Sequence, residues 1–351
     1  MCGIVAATSK RNIVPVLIEG LRRLEYRGYD SAGLAIVNDG LRRLRSTGRV
    51  ADLAERVNGA AIEGCLGIAH TRWATHGAPS ERNAHPHISG DLAVVHNGII
   101  ENHDAMRRQL KAQGFEFVSD TDTEVIAHLI ESLRRKGRGL FDATREAVAR
   151  LEGAYAIAVV SAERRDTLIV ARKGAPLLLG LGGAEDFGAS VVSALLQVTQ
   201  RVIYLEEGDC AELSREGYRI HDQHGQRVER QIHVSQLSAQ SIELGPHQHY
   251  MQKEIFEQPG AVANTLENLF GARSLQPELF GVEAAELFKG VTSVNIVACG
   301  TSYHAGVVAR YWIESLAGLP CNVEIASEYR YRSSVADPNG LFVTISQSGE
   351  T

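Results

Sequence analysis

Cysteine is sparse and unpaired in this sequence. Its five cysteines, at positions 2, 65, 210, 299 and 321 of 351 residues, are odd in number, scattered and free of any C-x-x-C spacing. That pattern disfavours a disulfide framework and a structural zinc site. Runs rich in lysine or arginine are missing too. The formal net charge is -6, and the short basic pieces Arg22-Arg23, Arg42-Arg43 and Arg134-Arg135-Lys136 read as solvated faces, so no nucleic-acid partner is expected. No apolar run approaches the ~20 residues of a membrane span, and the start MCGIVAA lacks the basic segment and long apolar stretch of a signal peptide. These absences predict a soluble, cytoplasmic protein without a membrane partner. Histidines recur at short spacing, His85 with His87, His221 with His224 and His247 with His249, but no carboxylate or cysteine stands at matching spacing. They read as solvated or hydrogen-bonded imidazoles, and neither a metal nor a cofactor is expected.

What is present is enough chain for two domains, because 351 residues exceed the size at which one core usually stops growing. The first 220 residues alternate groups of strands and helices. Strand-like runs at 3–9, 33–38, 41–46, 65–73 and 92–100 follow one another without a helix between every pair, which points to mainly antiparallel pairing. An amphipathic helix over 13–26 and a short one at 50–57 interrupt them. Helical patterns at 101–113, 122–136 and 139–151 follow, then strands at 154–162, 167–173, 177–182, 201–205 and 210–213. That order predicts an α+β domain over 2–220, two stacked sheets with helices outside. Residues 221–250 are polar and poorly periodic, and read as the tail of that domain and a linker. From 251 the pattern changes to helix, strand 293–298, helix, strand 321–326, a short helical piece and strand 341–345, an incomplete parallel α/β domain over 251–351.

The first three residues, Met1-Cys2-Gly3, organise the chemistry. Removal of the initiator methionine leaves a cysteine whose own α-amine lies beside its thiol. That amine titrates at about 7.7–8.0 against about 10.4 for lysine, so at neutral pH it offers roughly a few hundred times more free base. Nucleophile and base then share one residue. A cysteine at position 2 also serves elsewhere as a small packing group; what favours chemistry here is its company downstream.

The stretch His70-Thr71-Arg72-Trp73-Ala74-Thr75-His76-Gly77 crowds polar side chains at the end of an apolar strand. Arg72 offers a planar fork for a carboxylate, and Asp122, placed before a helix, suits an ammonium. Asn97-Gly98 reads either as a hairpin turn or, because Ile99-Ile100 continue the apolar run, as the buried end of a strand whose amide and N–H face an oxyanion. In the second part the turns 299–302 (CGTS) and 346–351 (SQSGET) each follow a parallel strand, the edge of an open α/β sheet where phosphates bind.

Several of these motifs together resemble a known family. Cys2-Gly3-Ile4-Val5, the YRGYDSAG run at 26–33, the HTRWATHG run at 70–77, Asn83-Ala84-His85-Pro86-His87, Val95 to Asn102 and Thr121-Asp122-Thr123-Glu124 resemble the glutaminase domain of the class II, N-terminal-nucleophile glutamine amidotransferases. The resemblance implies the αββα N-terminal-nucleophile hydrolase fold. It further implies that Cys2 attacks the glutamine side-chain amide and that Asn97 and Gly98 form the oxyanion hole. Arg72 and Asp122 would hold the two charges of L-glutamine, with Thr75 and His76 lining the pocket. Residues 72–80 would form a lid with Trp73 near the ammonia gate, and Arg27 would lie near the thiol, with Tyr29 in the loop it meets. The HYMQKEI, CGTSY and SQSGET stretches resemble the start of a sugar-isomerase (SIS) domain. That likeness implies fructose 6-phosphate as ammonia acceptor, held through its phosphate by Thr301, Ser302, Ser346, Gln347, Ser348 and Thr351, with glucosamine 6-phosphate as product and a homodimer at full length. Ala6 stands where the family usually has glycine. The family's isomerase acid/base groups and Schiff-base lysine have no counterpart in these 351 residues, so the chain alone is expected to support glutaminase chemistry only. Two other readings compete: an amidotransferase acting on phosphoribosyl pyrophosphate or aspartate, disfavoured by the second-domain turns, and a sugar-phosphate-binding module with an idle cysteine.

Overall fold

The Gly3–Thr8 strand is buried along its whole length, and the alternation of its side chains shows why. Val5 and Ala7 belong to a helix-covered core with Leu17, Leu21 and Leu53, whereas Ile4 and Ala6 belong to a second core with Ala93, Ala156 and Ala158. Apolar residues in both phases of a period of two are what a strand between two layers requires. The computed structural model describes residues 2–25, 28–73, 77–183, 185–235, 247, 249–271, 274–275 and 284–346. The chain divides into two compact units, Met1–Glu243 and Leu244–Thr351.

Among the described residues, the first unit has two antiparallel sheets. One has eight strands in the order Ile232–Val234, Arg201–Tyr204, Leu178–Leu181, Asp186–Ala189, Gly3–Thr8, Leu66–Arg72, Ser31–Val37 and Leu41–Thr47. The other has seven, Arg227–Val228, Gly217–His221, Cys210–Ser214, Arg164–Lys173, Gly153–Ser161, Leu92–Ile100 and His87–Ser89. The layer between them is rich in small side chains, among them Ala6, Ala35, Ala93, Ala156, Ala158 and Ala211, which lets the sheets stack face to face. Helices Val14–Leu24 and Val50–Gly59 cover the first sheet; His103–Ala112, Thr123–Arg134 and Leu140–Val148 cover the second. The first helix buries Val14, Leu17, Ile18, Leu21 and Leu24, one stripe at helical spacing. Each of its fully buried leucines contributes about 1.5–3 kcal/mol. Four layers, αββα, result, as the family resemblance implies.

Two departures from the sequence reading are instructive. Asp186–Ala189 is a strand beside Gly3–Thr8, yet its run DFGA contains one large apolar residue, Phe187, and looks like a loop. The boundary expected near residue 220 is corrected as well. Gly217–His221 and Arg227–Val228 extend one sheet and Ile232–Val234 ends the other, so the first unit runs to Glu243 and the linker does not begin at 221. Arg227–Val228 and Ile232–Val234 are edge strands, and edge strands carry polar, partly exposed side chains that obscure the alternation.

In the second unit, Ser293–Ala298 lies between Cys321–Ile325 and Gly340–Ile345, parallel to both, with helix Gly300–Trp312 as a crossover. Its buried core is small, Val294, Ile296 and Cys321, and Tyr311, Trp312 and Leu316 are 69%, 63% and 84% exposed. Helix Tyr250–Leu269 precedes this sheet and contains Pro259. Among the described residues no helix is long and apolar enough to cross a membrane.

Candidate active site

Register in the first sheet carries Cys2 to its surroundings. Gly3 pairs with Thr71 and Ile4 with His70, so Cys2 emerges beside Arg72 and Trp73 as their strand leaves the sheet. The Trp73 N–H donates to Cys2 Sγ at 3.3 Å, and the thiol lies 3.6 Å from the Trp73 carbonyl. Gly3 is required here, since a Cβ would lie 2.8 Å from Leu24 and from Thr71 Oγ1. In the other sheet Asn97 pairs with Ala156 and Gly98 with Tyr155, so the chain runs on through Asn97-Gly98 as a strand and does not turn. Asn97 Nδ2 donates to the Cys2 carbonyl at 3.3 Å, bridging the two sheets. Gly98 has φ +126°, and a Cβ there would lie 2.1 Å from the Ala154 carbonyl oxygen.

Cys2, Arg72, Trp73, His85, His96, Gly98, Thr121, Asp122 and Thr123 line one small pocket of about 20 Å³. Arg72 ends its strand almost fully buried, its guanidinium donating to the carbonyls of Gly77 at 3.0 Å and Ala78 at 3.5 Å. Asp122 precedes helix Thr123–Arg134, where the helix dipole favours an anion, and accepts the Ile100 N–H at 2.9 Å. Burial pushes the Cys2 thiol up, opposed by the Trp73 N–H and the Arg72 charge. A thiol held in its neutral form needs a base beside it to react.

Around the pocket lies a polar network that the sequence reading did not assemble. His85 Nε2 and His96 Nδ1 each lie 2.9 Å from Thr123 Oγ1. His87 Nε2 lies 3.0 Å from Thr121 Oγ1, which meets Ser119 Oγ at 3.0 Å, and that hydroxyl donates to Glu124 at 2.7 Å. His70 Nε2 lies 3.0 Å from both the His96 carbonyl and Asn97 Oδ1. The spacing of His85 and His87 thus serves hydroxyl partners, and among the described residues no group of three or more potential ligands could hold a metal. The available signal was four histidines, 70, 85, 87 and 96, in or beside strands that are otherwise apolar.

Burial drives His70 and His87 down to about 3 and His85 well below its ordinary value. Burial alone would raise Glu124, but His128 and the Val118 and Ser119 donors outweigh it and hold it at about 2. A histidine at about 6.5 in the unfolded chain and near 3 when folded binds its proton preferentially in the unfolded state between those values. Stability is therefore expected to be flat between about pH 7.5 and 6.5 and to fall as the pH drops further, with Glu124 adding to the loss below pH ~4.5. Urea midpoints measured between about pH 7.5 and 5 check this; a constant midpoint contradicts it.

Of the other residues singled out, Tyr29 packs edge-on against Trp73 at 5.4 Å. Ala6 is fully buried between the sheets. Arg27, Thr75 and His76 lie outside the described residues, as do Gln347, Ser348 and Thr351. In the second unit Ala298 and Ile345 are in register on neighbouring parallel strands. Thr301 and Ser302, in the first turn of their helix, and Ser346 therefore leave adjacent strand ends at the C-terminal edge of the sheet.

A glutamine amidotransferase domain family matches residues 70–197, and a SIS domain family matches 287–351. The chain is 56% identical over its full length to the glutamine–fructose-6-phosphate aminotransferase (isomerizing) of Pseudomonas putida and 54% identical to those of Xylella fastidiosa and Vibrio cholerae. It spans 58% of the length of each. In fold it resembles the Bacillus subtilis glutamine phosphoribosylpyrophosphate amidotransferase, with a TM-score of 0.55 and 21% identity, covering 92% of this chain and 65% of that one. A structure described as the allosteric regulatory enzyme of purine biosynthesis gives a TM-score of 0.57 at 22% identity, covering 99% and 68%. Over its full length the chain is similar to the glutamine–fructose-6-phosphate aminotransferases, with a glutamine amidotransferase domain match in its first unit and a SIS domain match in its second.

Proposed function

We propose that the first unit hydrolyses L-glutamine through a thioester on Cys2. The thiol gives its proton to the residue's own α-amine once Met1 is removed, and Sγ adds to the side-chain amide carbon. The oxygen, now an anion, takes hydrogen bonds from Asn97 Nδ2 and the Gly98 N–H. The ammonium returns its proton to the leaving nitrogen, the C–N bond breaks, and ammonia departs from a glutamyl thioester. Water then cleaves the thioester to glutamate and regenerates the thiol. Arg72 pairs with the substrate carboxylate and Asp122 with its ammonium; the family resemblance assigns Thr75 and His76 to glutamine binding, Trp73 to a closing lid and Arg27 to catalysis. The observation that carries this reading is that the thiol, a buried guanidinium and a buried carboxylate line one pocket. At full length the ammonia would pass to fructose 6-phosphate, held through its phosphate by Thr301, Ser302, Ser346, Gln347, Ser348 and Thr351, in a cytoplasmic homodimer that makes glucosamine 6-phosphate.

The test is ammonia release from glutamine and from asparagine, which carries the same two charges on a side chain one methylene shorter. Glutamine is expected to react and asparagine to fail; equal rates would remove the case for a pocket that holds both charges and the amide at once. Arg72→Lys keeps the charge but loses the planar fork, and its glutamine KM is expected to rise by roughly 10-fold with kcat nearly unchanged. A fall in kcat alone would assign Arg72 a different task.

A further inference from the structure

We infer that His70 is a positioning residue that fixes which way round the Asn97 side-chain amide sits, so that its N–H and not its oxygen faces the reacting carbonyl. The inference rests on the thioester reading above and goes beyond it to a residue that touches neither thiol nor substrate.

An asparagine amide has two faces of opposite polarity, and only one serves an oxyanion. Asn97 Nδ2 points toward Cys2, donating to its carbonyl oxygen at 3.3 Å, which leaves Oδ1 to be satisfied inside the protein. His70 Nε2 lies 3.0 Å from that Oδ1 and 3.0 Å from the His96 carbonyl oxygen. Both neighbours are acceptors only, so Nε2 carries the proton and His70 is the Nε2–H tautomer. Nδ1 then carries the lone pair, and it has no hydrogen-bond partner among the described residues. Turning the amide over would set its NH₂ against the Nε2–H and its oxygen against the Cys2 carbonyl, losing both bonds at once. Fixing the tautomer therefore fixes the amide.

His70 is held firmly enough for this. It is completely buried, its backbone pairs with Ile4 on one side and Gly33 on the other, and its ring packs on His85 with centroids 4.1 Å apart. A neutral, donor-only contact at Nε2 also keeps positive charge away from the carbonyl end of Cys2.

A double-mutant cycle tests this in the full chain. Asn97→Ala is expected to cut kcat for glutamine by about 10²-fold or more. His70→Leu is expected to cut kcat by about 10-fold with KM changed less than about 3-fold, and His70→Gln, which keeps an N–H near the Nε2 position, to recover most of the loss. In the Asn97→Ala background His70→Leu should cost nothing further. A loss that adds in full to that of Asn97→Ala, or an unchanged kcat in His70→Leu, overturns the proposal. Should His70→Leu fail to fold, imidazole nitrogen shifts of the unsubstituted chain decide: Nε2 protonated supports the assignment, and Nδ1 protonated overturns it. An Asn97→Ala chain with full activity would instead refute the oxyanion role of Asn97 itself, and with it this inference.

Discussion

Cys2→Ala is expected to lower glutamine hydrolysis by roughly 10⁴-fold or more, since removing a covalent nucleophile leaves only binding and oxyanion stabilisation. The fold should hardly notice. The thiol's recorded partners are the N–H and C=O of Trp73, at sulfur distances of 3.3 and 3.6 Å, and neither is a strong bond. Loss of such contacts at a partly exposed chain end is expected to cost under about 1 kcal/mol. Glutamine should still bind, because Arg72 and Asp122 remain. Ammonia release at the parent rate would show that the sulfur is idle and would favour the sugar-phosphate-binding module instead. Activity lost together with a large drop in the urea midpoint would point to a packing role for the side chain.

The second large effect is expected at Asn97. Alanine there removes one proposed oxyanion donor, and loss of such a donor elsewhere costs about 10²–10³-fold in kcat, equivalent to about 2.7–4 kcal/mol in the transition state. KM for glutamine should move little, since the ground-state amide oxygen gains less from that donor than the anion does. The stability cost is modest for a reason visible in the network: His70 Nε2 keeps the His96 carbonyl at 3.0 Å as acceptor, so no buried donor is orphaned. Steady-state kinetics on Asn97→Ala separates the two constants. A rise in KM at constant kcat would make Asn97 a ground-state binding residue. Gly98 admits no such clean substitution, because its positive φ and the Ala154 carbonyl at 2.1 Å from a virtual Cβ would distort the strand itself.

The central layers were legible in the sequence because the rules that shape them are local. Leu92–Ile100 has the bounds that its apolar run announces, and Ser293–Ala298 likewise. Alternation failed where strands are short or at an edge: Asp186–Ala189, Arg227–Val228 and Ile232–Val234 have too few apolar positions to show a period. Arg72 and Asp122 could be paired as a glutamine clamp from residue chemistry, yet nothing in their separation by 50 positions requires that they share a pocket; that depends on the stacking of two sheets. The histidines were hardest. His85-Pro86-His87 looks like a metal spacing, and only the fold brings Thr121 and Thr123 to those rings.

One labelling experiment tests the account most directly. The chain is treated with 6-diazo-5-oxo-norleucine, a glutamine mimic that alkylates a thiol in place of acylating it, and its intact mass and N-terminal peptide are measured. The account predicts a chain that begins at Cys2, carries a single adduct on that residue and is protected by excess glutamine. A chain that retains Met1 yet releases ammonia from glutamine, or an adduct that settles on Cys65, Cys210, Cys299 or Cys321, would contradict it.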